Sequence, residues 1–251
     1  MKILFTMCGR AGSKGIKNKN VKDFLGYPLP YYTLSAIDLF INKYGSHIDY
    51  DIVVNTDSEE LMDIMRKNPF RGVKITEREQ ALAGDAIGKI DVIADCYRKM
   101  SAYYDMVVDL DITSPLRTID DIKKVIDMHM EKRPDVTTTI TSSRRNPYFN
   151  QLKETDHGYK KVIESTYTAR QQAPRIYDMN ASIYAYTPDY LCTGKGVLDG
   201  YVECVEMYDT GILDLDNEND LALMEIIAKY LFNTNDKFGH IYKNLKHSYR
   251  T

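Results

Sequence analysis

Ile3-Leu4-Phe5-Thr6-Met7 runs directly into Cys8-Gly9-Arg10-Ala11-Gly12-Ser13-Lys14-Gly15-Ile16-Lys17-Asn18-Lys19-Asn20. A short apolar run that empties into a glycine-rich basic loop reads as a buried strand delivering a phosphate-holding turn. Glycines let the backbone approach a ligand closely and turn with positive φ, so successive N–H groups can converge on an anion. Arg10 can chelate two phosphate oxygens with its planar fork, whereas Lys14 acts as a mobile point charge. Two familiar glycine loops do not fit. A Walker loop requires Ser or Thr directly after Gly-Lys, but Ser13 precedes Lys14 and Gly15 follows it. A dinucleotide fingerprint requires G-x-G-x-x-G opening a helix, and only Gly12-x-x-Gly15 is present. Taken alone, the loop reads equally as a basic surface turn after an edge strand.

Outward from this loop the chain alternates strand and helix. Leu29, Tyr32, Ala36, Ile37 and Phe40 recur at helical spacing behind Pro28 and Pro30, which suit a helix start. Ile52-Val53-Val54, Val73-Lys74-Ile75, Met106-Val107-Val108 and Val136-Thr137-Thr138-Thr139-Ile140 read as strands, the third of them central. Between them, Asp57 and Glu60 form a capping-box-like start for a helix with Leu61, Ile64 and Met65. Ile90, Ile93, Ala94 and Tyr97 mark another, and Thr118 with Asp121 opens one whose buried stripe is Ile122, Val125, Ile126 and His129. This alternation predicts right-handed crossovers and an α/β fold, a mostly parallel doubly wound sheet covered on both faces. Ligands of such sheets bind at the carboxyl ends of the strands, so the loops after Met7, Val54, Ile75 and Val108 are expected to line one pocket.

From Ser143 to Met179 the alternation stops, which reads as an excursion inserted into a single domain spanning residues 1–251. Ala181 to Tyr186 and Val202 to Met207 then read as strands, and Leu221, Met224, Ala228 and Leu231 mark a last helix. The polar tail, 233–251, gives no assignable pattern.

Composition narrows the function. The formal charge of −3 with interspersed signs argues against nucleic acid or a polyanionic membrane as the main partner, and basicity is local to the first loop. No apolar run is long enough to cross a bilayer. Met1-Lys2-Ile3 leads straight into a strand, so a cytoplasmic protein is expected. Cys8, Cys96, Cys192 and Cys204 lack metal-like spacing and fit reduced thiols. Five dispersed histidines form no Ser-His-Asp or Cys-His pattern.

Three acidic or mixed segments add candidate chemistry. Asp214-Leu215-Asp216 precedes the last helix. Alternate strand residues share a face, so both carboxylates can hold a hard divalent cation, or Asp216 or Asn217 can simply cap the helix. Val108-Asp109-Leu110-Asp111-Ile112-Thr113-Ser114-Pro115-Leu116-Arg117 carries a second acidic pair, for which strand-end hydrogen bonding or loop capping is the alternative. In Glu77-Arg78-Glu79, with Leu82-Ala83-Gly84-Asp85, Arg78 is either a ligand contact or a surface charge.

Arg10-Ala11-Gly12-Ser13-Lys14-Gly15-Ile16 with Lys19-Asn20 resembles the R-x-G-S-K-G-[IL]-x-x-K-N signature of the acylneuraminate cytidylyltransferase (CMP-sialic acid synthetase) family. Phe24-Leu25-Gly26-Tyr27-Pro28-Leu29, Thr113-Ser114-Pro115-Leu116-Arg117, Arg170-Gln171-Gln172-Ala173-Pro174 and Asp178-Met179-Asn180-Ala181-Ser182-Ile183-Tyr184 continue that pattern in order, from Ile3 to about Ala222. Asp109-Leu110-Asp111, Arg144-Arg145-Asn146-Pro147-Tyr148-Phe149-Asn150 and the segment from Asp178 to Tyr184 are most similar to its legionaminic acid branch. The sequence departs at Asp111, where Gln is usual, at Asp178, where a basic residue is usual, and at Gly84, where Ser is common.

The resemblance implies magnesium-dependent transfer of a cytidylyl group from CTP to a nine-carbon 2-keto sugar acid, with release of pyrophosphate. It implies that Arg10 and Lys14 stabilise the triphosphate, and that Cys8, Gly9, Ala11, Ser13, Asn20 and Arg78 bind the nucleotide. Asp111, Arg170, Asn180 and Tyr184 would meet the sugar, and Asp214 and Asp216 would hold the metal. It also implies a homodimer in which the excursion completes the neighbour's sugar site. A metal-dependent nucleotide-sugar glycosyltransferase also uses Asp-x-Asp pairs on a related sheet, and a non-catalytic nucleotide-binding module is the third reading. Pyrophosphate release from CTP separates the first from both.

Overall fold

The computed structural model describes residues 1–12, 15–84, 87–211 and 215–249. The strands are β1 (Lys2–Gly9), β2 (Asp23–Phe24), β3 (Tyr27–Pro28), β4 (Asp49–Thr56), β5 (Val73–Glu77), β6 (Met106–Leu110), β7 (Val136–Ser142), β8 (Leu152–Thr155), β9 (Gly158–Lys161), β10 (Tyr177–Tyr186) and β11 (Val202–Glu206). The α-helices are α1 (Pro30–Tyr44), α2 (Glu59–Arg66), α3 (Lys89–Lys99), α4 (Ile119–Lys132), α5 (Pro188–Leu191), α6 (Glu218–Thr234) and α7 (Asp236–Ser248). Seven strands form one sheet in the order β11-β7-β10-β6-β1-β4-β5. Every pairing in it is parallel except those of β10, which runs antiparallel to both β6 and β7. The expected α/β fold with a mostly parallel sheet is therefore the one observed.

The strands alternate their side chains between two cores. Ile3, Phe5 and Met7 of β1, Ile52 and Val54 of β4, and Met106, Val108 and Leu110 of β6 join one cluster with residues of α1, α4, α6 and α7. Leu4, Val53 and Val107, the residues between them, face a second cluster with Ile93 and Cys96 of α3 and Leu191 of α5. This period of two, apolar on both faces, is why these runs contain almost no polar residues. All five residues of β6 are buried, as a central strand requires.

The tail, unreadable in the sequence, forms α7. Its Phe238, Ile241 and Leu245 are buried against α1 and α6, each contributing roughly 1.5–3 kcal/mol at most. That burial holds a 13-residue helix that would be marginal in isolation. The excursion begins where β7 ends and rejoins the sheet at Tyr177, whose partner is Ser142. Within it, β8 and β9 pair only with each other and leave Leu152 and Tyr159 exposed.

One helix start differs from expectation. Ser58, not Asp57, caps α2, its side chain accepting from the Leu61 N–H at 3.2 Å. Asp57 instead accepts the Ala11 N–H at 2.9 Å and so anchors the first loop.

Candidate active site

A cavity of about 360 Å³ opens at the carboxyl ends of β1, β5 and β6. Cys8, Arg10, Gly15, Lys19 and Asn20 line it from the first loop, Arg78 and Gly84 from the β5 loop, Asp111 and Thr113 from the β6 loop, with Lys89 of α3 and Asp216. The loop after β4 contributes no lining residue, contrary to expectation; Asn55, within β4, acts from behind, its Oδ1 accepting from Arg78 Nε at 2.9 Å. Arg78 is buried, so it is not a surface charge between two glutamates.

The first loop is fixed at several points. Asn20 Nδ2 donates to the Arg10 carbonyl at 3.0 Å, and Asn18 donates to Glu60 of α2 at 2.9 Å. Gly9 passes so close to Leu61 and Ile112 that a Cβ there would lie 2.6 and 3.0 Å from their methyl carbons. Ser13, Lys14 and Asp214, anticipated as nucleotide, catalytic and metal residues, lie outside the described residues. Gly15 is tighter still, because a Cβ on it would stand 1.9 Å from the carbonyl oxygen of Asp216. That contact brings the glycine loop and the Asp-Leu-Asp segment to the same cavity.

Asn217 caps α6 in a reciprocal capping box with Asp220. The Asp216 carboxylate is therefore not consumed by capping. Its side chain is 78% exposed and lies 3.6 Å from Lys19 Nζ. An anionic oxygen donor of this kind suits a hard divalent cation, so Asp216 fits one half of a magnesium site. Among the described residues, no group of three or more His, Cys, Asp or Glu is gathered that could hold a metal.

The β6 end carries the strongest electrostatics. Asp109 is fully buried, and its Oδ1 accepts from Thr6 Oγ1 at 2.8 Å. Lys89 Nζ lies 2.7 Å from Asp109 Oδ2 and 2.6 Å from Asp111 Oδ2. Burial works against the Lys89 charge, but the two carboxylates outweigh it and hold the ammonium well above the usual lysine range. Burial would likewise raise the Asp111 carboxyl, yet Lys89 and Thr113 pull it down to about 2. Thr113 donates to Asp111 Oδ1 through both its N–H, at 2.9 Å, and its hydroxyl, at 2.8 Å. Three of the four lone-pair positions of Asp111 are thus filled from within the chain. Burial, with Asp109 and Cys96 nearby, pushes the Cys8 thiol well up, so Cys8 stands in the wall as a neutral group rather than a nucleophile.

Arg117 sits beneath this loop, buried, donating to the carbonyls of Asp111 and Ser114 and to Thr33 Oγ1. Burial lowers its pKa to about 10 against the pull of Asp111 and Asp109. The Thr-Ser-Pro-Leu-Arg segment therefore shapes the turn that presents Asp111 and Thr113.

The anticipated sugar residues divide. Asp111 lines the cavity, but Arg170 lines a second one with Ser142, Ser143 and Asn146, and donates to the Ser143 carbonyl at 2.8 Å. The two cavities share no lining residue. Tyr184 is buried behind the first, its ring face 5.3 Å from Lys89 Nζ. Asn180 Oδ1 accepts from Thr139 Oγ1 at 2.6 Å and from the Ser182 N–H at 3.3 Å. It thereby holds a β-bulge in which Ala181 has φ of 50°. The same bulge presents the Ser182 carbonyl to the Asp111 N–H at 3.1 Å, so Asn180 acts on the pocket wall through the backbone. Sequence reasoning missed Lys89. Its one local signal is a lysine at the first turn of a helix, where the macrodipole disfavours a cation.

Comparison with known proteins adds the relatives. A family profile described as "Cytidylyltransferase" matches residues 7–227. The chain is 34% identical to post-translational flagellin modification protein B of Campylobacter coli, over 90% of this chain and 95% of that protein. It is 33% identical to the CMP-N,N'-diacetyllegionaminic acid synthase of Campylobacter jejuni, over 90% and 94% respectively. The solved structure of a CMP:2-keto-3-deoxy-manno-octonic acid synthetase complexed with CTP resembles this fold with a TM-score of 0.65 at 15% identity, over 92% of this chain and 99% of that one. At that identity the likeness concerns the fold alone.

Proposed function

The chain belongs to the cytidylyltransferase family, and from that premise we propose that it joins CMP to a nonulosonic acid of the legionaminic or sialic type. The anomeric hydroxyl oxygen attacks the α-phosphorus of CTP, its proton is lost, the bond to the β-phosphate oxygen breaks, and pyrophosphate leaves. The observation that carries this reading is the Gly15–Asp216 contact, which supports a basic glycine loop and an acidic pair acting on the same phosphates.

Such a transfer asks the protein for positioning and charge neutralisation, not for covalent chemistry. Arg10 and Lys14 stabilise the triphosphate and the departing pyrophosphate, while backbone from Cys8 to Ala11, with Ser13, Asn20 and Arg78, binds the nucleotide. Asp214 and Asp216 are the residues that would hold magnesium, which when bound neutralises phosphate charge and acidifies the attacking hydroxyl. Asp111, Arg170, Asn180 and Tyr184 belong to the sugar side. Because Arg170 lies on a second cavity, a homodimer in which the excursion serves the neighbouring subunit fits the layout. Exposed Leu152 and Tyr159 support such a contact. The diacetylated product named for the Campylobacter jejuni relative supports a di-N-acylated substrate. Four free cysteines accord with a cytoplasmic enzyme, and no helix among the described residues is long and apolar enough to cross a membrane.

The test is pyrophosphate release from CTP, ATP, GTP and UTP against nonulosonic acids and shorter keto-sugars. Release with CTP and a nine-carbon acid is expected. Transfer from a nucleotide-sugar without pyrophosphate release would favour a glycosyltransferase, and tight CTP binding without turnover a silent module.

A further inference from the structure

Lys89 opens α3, at the positive end of the helix dipole, which is an unfavourable place for a cation. The chain nevertheless sets its ammonium between two carboxylates two residues apart on one strand end, at 2.7 Å and 2.6 Å. Two acidic oxygens converging on one point is an arrangement that could also receive a divalent ion. Here that point is taken by a group of the chain itself. Asp109 is fully buried, and a buried carboxylate requires a cation or several donors. Thr6 supplies one donor and Lys89 supplies the charge.

Of the ammonium's three N–H donors, one goes to Asp111 Oδ2, while Asp109 Oδ2, 2.7 Å away, is paired with the charge without receiving a hydrogen bond. The Lys89 side chain remains 29% exposed and lines the cavity beside Asp111 and Thr113. The Tyr184 ring backs it at 5.3 Å. Donor capacity is therefore left on an ammonium that lines the cavity beside Asp111.

We propose that Lys89 is a resident cation that takes the place of a divalent ion at Asp109-x-Asp111, and that a remaining N–H donates to an oxygen of the acceptor acid, making Lys89 a specificity-determining contact. The second half rests on the function proposed above; the first does not. Asp109-x-Asp111 is then a holder for an ammonium, and the metal requirement falls on the Asp216 side of the cavity.

The test has two arms. Manganese alone, titrated by electron paramagnetic resonance without nucleotide or sugar, counts divalent sites in the unmodified enzyme, Asp111→Asn, Lys89→Met and the double variant. Equal counts for the unmodified enzyme and Asp111→Asn are expected, with one additional site in Lys89→Met that the double variant loses. A lower count in Asp111→Asn, or no gain in Lys89→Met that circular dichroism shows to be folded, overturns the proposal. The comparison with Asp111→Asn needs no Lys89 variant, so it decides the first half even where Lys89→Met does not fold. In the kinetic arm, Lys89→Met should raise the KM for the acid by about 10–100-fold, the usual loss for a charge-assisted hydrogen bond, with the KM for CTP within about twofold. Lys89→Gln, which keeps an N–H donor, should recover part of that loss. An unchanged KM for the acid in folded Lys89→Met and Lys89→Gln refutes the contact. Absence of pyrophosphate release by the unmodified enzyme with any acid refutes the proposed function instead, and leaves the manganese counts standing.

Discussion

Replacing Gly15 with alanine tests whether the glycine loop and the Asp-Leu-Asp segment must close on each other. The added Cβ would stand 1.9 Å from the Asp216 carbonyl oxygen and 3.1 Å from its carbonyl carbon. Side-chain carbons do not approach backbone oxygen within about 3 Å, so the two segments must part by about 1 Å. A misplacement of that size in a phosphate-positioning site costs about 100-fold in rate, equivalent to about 2.7 kcal/mol of transition-state stabilisation. Gly15 and Asp216 are both exposed, so stability should barely change, and alanine stiffens the unfolded chain slightly in compensation. The assay is continuous pyrophosphate release under saturating CTP and acid, with thermal unfolding measured in parallel. A kcat within threefold of the unmodified enzyme would refute the reasoning, and so would a large fall in unfolding midpoint with activity lost in proportion.

Lys14→Ala should reduce turnover by about 10²–10³-fold, the usual loss of one donor to developing phosphate charge, with circular dichroism unchanged. Asp216→Asn should raise the magnesium concentration needed for half-maximal rate while the metal-free unfolding midpoint stays put, because Asn217 and not Asp216 caps α6; a lower midpoint with unaltered metal dependence would return the residue to a structural role. The Asp111 carboxyl, held down from 3.8 to about 2, contributes stability that is fully present above pH 4 and lost as pH falls through about 2. Urea midpoints should therefore fall more steeply between pH 4 and pH 2 in the unmodified enzyme than in Asp111→Asn, and parallel curves would contradict the Lys89–Asp111 pairing.

What the sequence disclosed follows from how locally each feature is encoded. β1, β4 and β6 were legible because strands apolar on both faces leave unbroken hydrophobic runs. Thr118 and Asp121 were legible because a capping box lies within four residues, and the structure forms it. Asp57 was misplaced by one position because Ser58 is an equally good cap, and only the fold reveals that Asp57 is needed at Ala11. α7 escaped because Phe238, Ile241 and Leu245 are separated by exposed His240 and Lys243 and by Asn244, whose amide donates to Ser35 and Asp38 of α1, leaving a stripe too thin to recognise. At the site, the glycine loop was legible as a contiguous motif. Lys89 was not, since its partners lie 20 and 22 residues away and meet it only because α3 begins where β6 ends. Arg117 was visible as part of a motif, but its work of holding the Asp111 and Ser114 carbonyls appears only in three dimensions.

Transfer of a cytidylyl group to the hydroxyl of a nonulosonic acid is read directly by phosphorus-31 nuclear magnetic resonance of the enzyme with CTP, magnesium and a di-N-acetylated nonulosonic acid. One phosphodiester resonance of a CMP-sugar should grow in step with pyrophosphate. Free CMP in place of the phosphodiester, or CTP left intact while a nucleotide-sugar is consumed, would contradict such transfer.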